Sequence, residues 1–130
     1  MNIANILARK GAKVVTIRPE QSIRQALALL AEHNIGALVV VDQAGKPIGI
    51  ISERDIVHEA AGDEQVFSKA VGEIMTRDVI IGMPHDDLVS VGNTMTAKRI
   101  RHLPVVDKGK LVGIVTLGDV VKAQDRKSVV

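Results

Sequence analysis

The sequence predicts an α+β fold in which a single β-α-β-β-α unit is built twice. Three observations carry that prediction. The stretch VVVDQAGKPIGIISERDIV (residues 39–57) returns about 64 residues later as PVVDKGKLVGIVTLGDVV (residues 104–121). Upstream the match continues at an offset of about 65, which places Val14 on Val79, Pro19 on Pro84, Ile35 on Ile100 and Leu38 on Leu103. Within each copy, one segment spaces its apolar residues as a helix does, and two apolar runs flank a turn. A repeated unit of this kind buries its apolar face against its twin, and the groove between two halves is a natural place for a ligand.

In the first unit KVVTIR (residues 13–18) has strand-like, β-branched composition and stops at Pro19. QSIRQALALLAEHN follows, with Ile23, Ala26, Leu27, Leu30 and Ala31 at helical spacing and Ser22 as N-cap. Residues 37–41 form an apolar run too short for a helix, so they predict a buried strand. Asp42-Gln43-Ala44-Gly45 supplies a turn, and residues 47–51 pair back as a hairpin. A helix then runs from Ser52 to near Gly62. The second unit repeats the order: a strand at 79–82, a helix carrying Leu88, Val91 and Met95, strands at 103–107 and 111–115, and a helix from Leu117. Gly92 weakens the middle helix by about 1 kcal/mol relative to Ala. A short helix leads each unit, through Ile3, Ile6 and Leu7 and then through Phe67, Ala70, Val71, Ile74 and Met75. With GDEQ (residues 62–65) as linker, the expected division is 1–62, 66–123 and a tail at 124–130.

Composition removes several classes of function. At 130 residues, 46% hydrophobic and 25% charged, the chain is an ordinary globular domain able to build a core. Its apolar runs are far shorter than a membrane span, and MNIANILARKG lacks the apolar stretch of a signal peptide. A cytoplasmic protein without membrane insertion is therefore expected. Cysteine is absent, which excludes disulfides and thiolate chemistry. The net charge is only +2 and Phe67 is the sole aromatic residue, so stacking platforms for nucleic acid are missing. The cluster Lys98, Arg99, Arg101 and His102 is what remains in favour of that class.

Two tetrads carry the candidate chemistry: Ser52-Glu53-Arg54-Asp55 and Thr116-Leu117-Gly118-Asp119. Each follows a strand and opens a helix. A hydroxyl followed three residues later by an acid is close to a capping box, worth about 1 kcal/mol to the helix. The same geometry also suits a nucleotide, because free N–H groups and the hydroxyl attract phosphate while the carboxylate accepts both hydrogens of a ribose diol. Repetition does not separate the two explanations, since a cap would repeat too. Arg101 and His102, just before a buried strand, could hold phosphate or simply face solvent; the first unit has Gly36 and Ala37 there, without charge. His33, His58, His85 and His102 lack metal-ligand spacing. The acids of Met83-Pro84-His85-Asp86-Asp87 fall where a helix start needs caps. No G-x-S-x-G, Walker or G-x-G-x-x-G motif is present, so no catalytic residues are assigned.

The segments IxALVVVD…GKPIGIISERDIV and VGEIMTRDVI…RIRHLPVVD…GKLVGIVTLGDVV closely resemble a tandem pair of cystathionine-β-synthase (CBS) domains, over nearly the whole chain. The resemblance implies two motifs packed as a pseudo-twofold pair, sheets facing each other with flanking helices, and a homodimer of such pairs. It also implies regulatory binding of AMP, ADP or ATP, or else NAD(H) or S-adenosylmethionine, with no catalytic cofactor. Carried over by position, one cleft would use Ser52, Arg54 and Asp55 with Val79, Ile80, Arg101, His102, Leu103 and Pro104. The other would use Thr116 and Asp119 with Val14, Val15, Thr16, Gly36, Ala37 and Leu38. Gly82 and Met83 stand where many members carry hydroxyl residues, and Gly36-Ala37-Leu38-Val39 replaces a basic, proline-containing pattern. Phosphate is thus expected to favour the cleft with Arg101 and His102. The leading expectation is a nucleotide sensor read by an effector protein. The alternatives are an interaction subunit with vestigial clefts, and a nucleic-acid binder.

Overall fold

The computed structural model describes residues 1–128, with side chains through position 125. The elements run α1 (Ile3–Lys10), β1 (Thr16–Ile17), α2 (Ile23–His33), β2 (Ala37–Val41), β3 (Pro47–Ser52), α3 (Glu53–Gly62), a 3-10 turn (Val66–Ser68), α4 (Val71–Ile74), α5 (Leu88–Lys98), β4 (His102–Asp107), β5 (Lys110–Thr116) and α6 (Leu117–Ser128). They divide into two compact units. One is Val14–Val79; the other joins Met1–Lys13 to the chain from Ile80 onward.

The first unit holds a three-stranded sheet in the order β1-β2-β3. β1 runs parallel to β2 with Thr16 opposite Val39, and β2 runs antiparallel to β3 with Ala37 opposite Ser52. All five residues of β2 are buried, as its unbroken apolar run requires. Leu38, Val40 and Ile51 meet Ile23, Ala26 and Leu30 of α2 and Ile56 of α3 in one core. α2 opens with a reciprocal box: the Gln25 amide donates to Ser22 Oγ at 3.1 Å and the Ser22 amide to Gln25 Oε1 at 2.9 Å. Ala31, expected on the buried face, is exposed, because each residue turns about 100° from the one before it and Leu30 holds the core position. The strand expected over 13–18 narrows to Thr16–Ile17, since the Arg18 amide turns to Gln21 Oε1 at 3.0 Å.

In the second unit β4 and β5 pair antiparallel, with His102 opposite Thr116 and Val105 opposite Gly113. The strand expected at 79–82 is reduced to a single parallel bridge between Gly82 and Val105. The Gly82 amide donates to the Pro104 carbonyl at 2.9 Å, and the Gly82 carbonyl accepts from the Val106 amide at 2.9 Å. A Cβ on Gly82 would lie 2.7 Å from Leu103 Cδ2 and 2.8 Å from Ile3 Cδ1. The volume that the buried Ile17 side chain fills in the first unit is therefore supplied here by Ile3 of α1. α5 survives Gly92, where a Cβ would approach Val120 Cγ1 of α6 to 3.4 Å. The core joins Ile3 and Ile6 to Leu88, Met95, Val105, Val115 and Val120.

The leading helices are exchanged relative to the sequence repeats. α1 precedes the first repeat, yet Leu7 sits over Gly113 of β5, its Cδ2 2.7 Å from where a Cβ would stand. The Met75 side chain, which precedes the second repeat, covers Gly49 of β3 in the same manner. Main-chain bonds repeat the exchange: the Ala4 amide donates to Pro84 O and the Gly72 amide to Pro19 O, both at 2.9 Å. The second leading segment is a 3-10 turn and α4 rather than one helix, and Phe67 is partly exposed, stacked 5.8 Å from the Arg24 guanidinium. α6 carries helix through Ser128, so 124–128 of the expected tail are helical and 129–130 lie outside the described residues. No helix among the described residues is long and apolar enough to cross a membrane.

Candidate functional site

Each tetrad stands where a hairpin strand hands over to a helix. In the first unit the Asp55 amide donates to Ser52 Oγ and the Ser52 amide to Asp55 Oδ2, both at 3.2 Å. The Glu53 amide donates to Gly36 O at 3.0 Å, which pins the tetrad to the start of β2. In the second unit the Asp119 amide donates to Thr116 Oγ1 at 3.0 Å and the Thr116 amide to Asp119 Oδ2 at 2.9 Å. The Leu117 amide donates to Arg101 O at 2.9 Å. Both tetrads are thus reciprocal capping boxes. Each box uses one carboxylate oxygen, leaving Oδ1 of Asp55 and of Asp119 without a hydrogen-bond partner among the described residues.

The electrostatic surroundings differ. Asp119 Oδ2 also accepts from Lys10 Nζ at 2.7 Å, and the same ammonium reaches Ile114 O at 3.1 Å. Burial pushes the Asp119 carboxyl up, but the Lys10 ammonium and the Thr116 amide and hydroxyl outweigh it and hold the group below its ordinary value. Among the described residues neither Asp55 nor the exposed Arg54 forms an ion pair. A cavity of about 540 Å³ beside the second tetrad is lined by Arg101, His102, Thr116, Gly118, Lys122 and the acid Asp125. A second, of about 260 Å³ between α1 and α6, is lined by Arg9, Lys10, Asp119 and Lys122.

The remaining expected site residues are distributed as follows. Val14, Val15, Thr16, Gly36, Ala37, Leu38, Ser52, Arg54, Asp55 and Val79 belong to the first unit; Ile80, Arg101, His102, Leu103, Pro104, Thr116 and Asp119 belong to the second. Within a unit, each tetrad has its own hairpin for a neighbour: Gly36 and Ala37 beside Ser52, Arg101 and His102 beside Thr116. Leu38 and Leu103 are core residues, 0% and 3% exposed, so what they offer a ligand is main chain. Asp87, one of the clustered acids, caps α5 by accepting from the Ser90 amide at 3.1 Å. No three metal-ligating side chains converge among the described residues. Sequence reasoning passed over Lys10, which lies 109 positions from Asp119.

A helix, hairpin and helix present twice, led by a strand in one copy and a single bridge in the other and each ending its hairpin in a Ser/Thr-x-x-Asp box, define a paired-repeat module. The family model for the CBS domain matches residues 4–62 and 71–126, and the chain belongs to the CBS-domain family. It is 37% identical over 107 residues to the CBS domain-containing protein YhcV of Bacillus subtilis (strain 168), a match spanning 82% of this chain and 76% of that one. A crystal structure of a CBS-domain containing protein from Agrobacterium tumefaciens superposes with a TM-score of 0.90 at 39% identity, covering 95% of this chain and 99% of that one. The CBS domain pair of protein MJ0100, solved in complex with 5′-methylthioadenosine and S-adenosyl-L-methionine, superposes at 0.86 with 33% identity, covering 98% of each chain.

Proposed function

We propose that this CBS pair is a regulatory module that binds adenosine derivatives, with Asp55 and Asp119 accepting the ribose diols. One observation carries the reading: in both units the capping box consumes a single carboxylate oxygen and leaves the other available. An amide closes the same kind of box at Asn5 of α1, whereas a carboxylate keeps a second charged acceptor oxygen that a ribose hydroxyl can reach. The complex of MJ0100 with two adenosine compounds supports the same ligand class. Ser52 and Thr116 position the carboxylates, and Val14, Val15, Val79, Ile80, Ala37, Leu38, Leu103 and Pro104 supply adenine contacts, the strand residues through main chain. Val57 and Val121, exposed at matching places on α3 and α6, favour self-association and docking of an effector protein. A ligand changes the balance of such states only by its differential affinity for them.

A thermal-shift panel on nucleotide-stripped protein tests this, with AMP, ADP, ATP, NAD(H) and S-adenosylmethionine against GMP. A ligand that binds only the folded state adds about 2.7 kcal/mol at a hundredfold excess over Kd. Asp55→Ala and Asp119→Ala each remove hydrogen bonds to a charged acceptor, about 1.5–3 kcal/mol, so each weakens binding at its own site about tenfold or more. Unchanged affinity in the double variant overturns the ribose assignment. A second reading, an interaction subunit that binds no nucleotide, draws on the Lys10 ion pair already closed on Asp119; absence of any shift across the panel would favour it.

A further inference from the structure

Within the second unit, Lys10 in the last turn of α1 reaches two groups 104 and 109 positions away: the Ile114 carbonyl on β5 and the Asp119 carboxylate at the start of α6. Arg9 and Lys122 line the same cavity of about 260 Å³. Asp119 is the one acid in that lining and its charge is already met by Lys10. Arg9 and Lys122 form no ion pair among the described residues. The cavity therefore carries an excess of positive charge. Arg101 lines the neighbouring cavity, which shares Lys122 and also holds the acid Asp125. Within the first unit Asp55 forms no ion pair among the described residues, Gly36 and Ala37 stand beside Ser52, and Arg54 is exposed.

We propose that Lys10 is a specificity-determining residue that makes the Asp119 site selective for phosphate-bearing ligands, with Arg9 and Lys122 completing its anion subsite. This rests on the adenosine-derivative reading for the ribose half of the ligand. An uncharged nucleoside that hydrogen-bonds Asp119 must share the carboxylate with Lys10, or leave an ammonium without its counter-ion. A nucleotide supplies a replacement anion, to which Lys10 can turn while the diol takes its place on Asp119. The Asp55 carboxylate forms no ion pair among the described residues, so a neutral or cationic adenosine compound displaces none there; this selectivity is the reverse of the one expected from Arg101 and His102.

The test is titration calorimetry in an Asp55→Ala background, comparing AMP with adenosine. Lys10→Gln is expected to weaken AMP about tenfold or more and to leave adenosine within about twofold or tighter, while Lys10→Arg retains most of the AMP affinity. Equal losses for both ligands, or no loss for AMP, overturn the proposal. If the unsubstituted chain binds neither AMP nor adenosine, the ribose reading fails by itself. Inorganic pyrophosphate followed by NMR then decides the subsite: shifts at residues 9, 10, 119 and 122 that vanish in Lys10→Gln uphold it, and no shifts overturn it as well.

Discussion

The free edges of β3 and β5 are closed in two different ways. In the first unit, α4 stops at Ile74 and the chain straightens, so Thr76 and Ile50 exchange two main-chain bonds, at 2.9 and 3.0 Å. In the second, α1 stays helical through Lys10, and its ammonium caps Ile114 O instead. One edge is closed by backbone, which is neutral; the other by a long cationic side chain, which also finds Asp119. Other main-chain bonds recur in both units, among them Ala4 on Pro84 and Gly72 on Pro19. The lesson is that a repeat keeps its form where main-chain hydrogen bonds must be satisfied and diverges where a side chain can do the same task. At this place the divergence pairs the Asp119 carboxylate with a cation, while Asp55 forms no ion pair among the described residues.

The exchanged leading helices carry the largest expected effects on stability. Ile3→Ala removes a fully buried side chain and is expected to cost about 2–5 kcal/mol. Amide exchange should accelerate first in the chain from Ile80 onward, although residue 3 precedes the first repeat. Accelerated exchange confined to residues 14–79 would show that α1 serves the other core. Gly82→Ala comes next, at about 1–3 kcal/mol, because its Cβ must push aside Leu103 and Ile3; urea denaturation reads this directly. If Gly82→Ala is neutral while Ile3→Ala is costly, Ile3 does not fill the space at position 82.

The smallest effect is the Lys10–Asp119 pair itself, at most about 1 kcal/mol for partly exposed groups. Asp119's carboxyl is held low in the folded chain. The pair's contribution is therefore fully present above the unfolded carboxylate value, about 3.9, and is lost as pH falls through the lower folded value. Lys10→Gln should destabilise at neutral pH and converge with the unsubstituted chain in acid below that range. A difference that persists undiminished there would assign the role of Lys10 to its bond with Ile114 rather than to Asp119.

The repeat made the β-α-β-β-α order, both hairpins and both tetrads legible, because these depend on local periodicity, turn residues and caps within a few positions of one another. Ser52 with Asp55 and Thr116 with Asp119 are bonded three residues apart, a distance at which sequence is nearly structure. The strand at 79–82 shrank to one bridge at Gly82, where the space is filled from elsewhere in the chain, by Leu103 and Ile3. The partner of Asp119 was hidden for the same reason. Lys10 in sequence is one cation in the last turn of a short helix, and nothing nearby distinguishes it from Lys13. Periodicity and capping chemistry, being local, decided the elements and the two carboxylates. Which helix covers which sheet, and which carboxylate holds a counter-ion, depended on tertiary packing, because those contacts join residues that no repeat, spacing or motif relates.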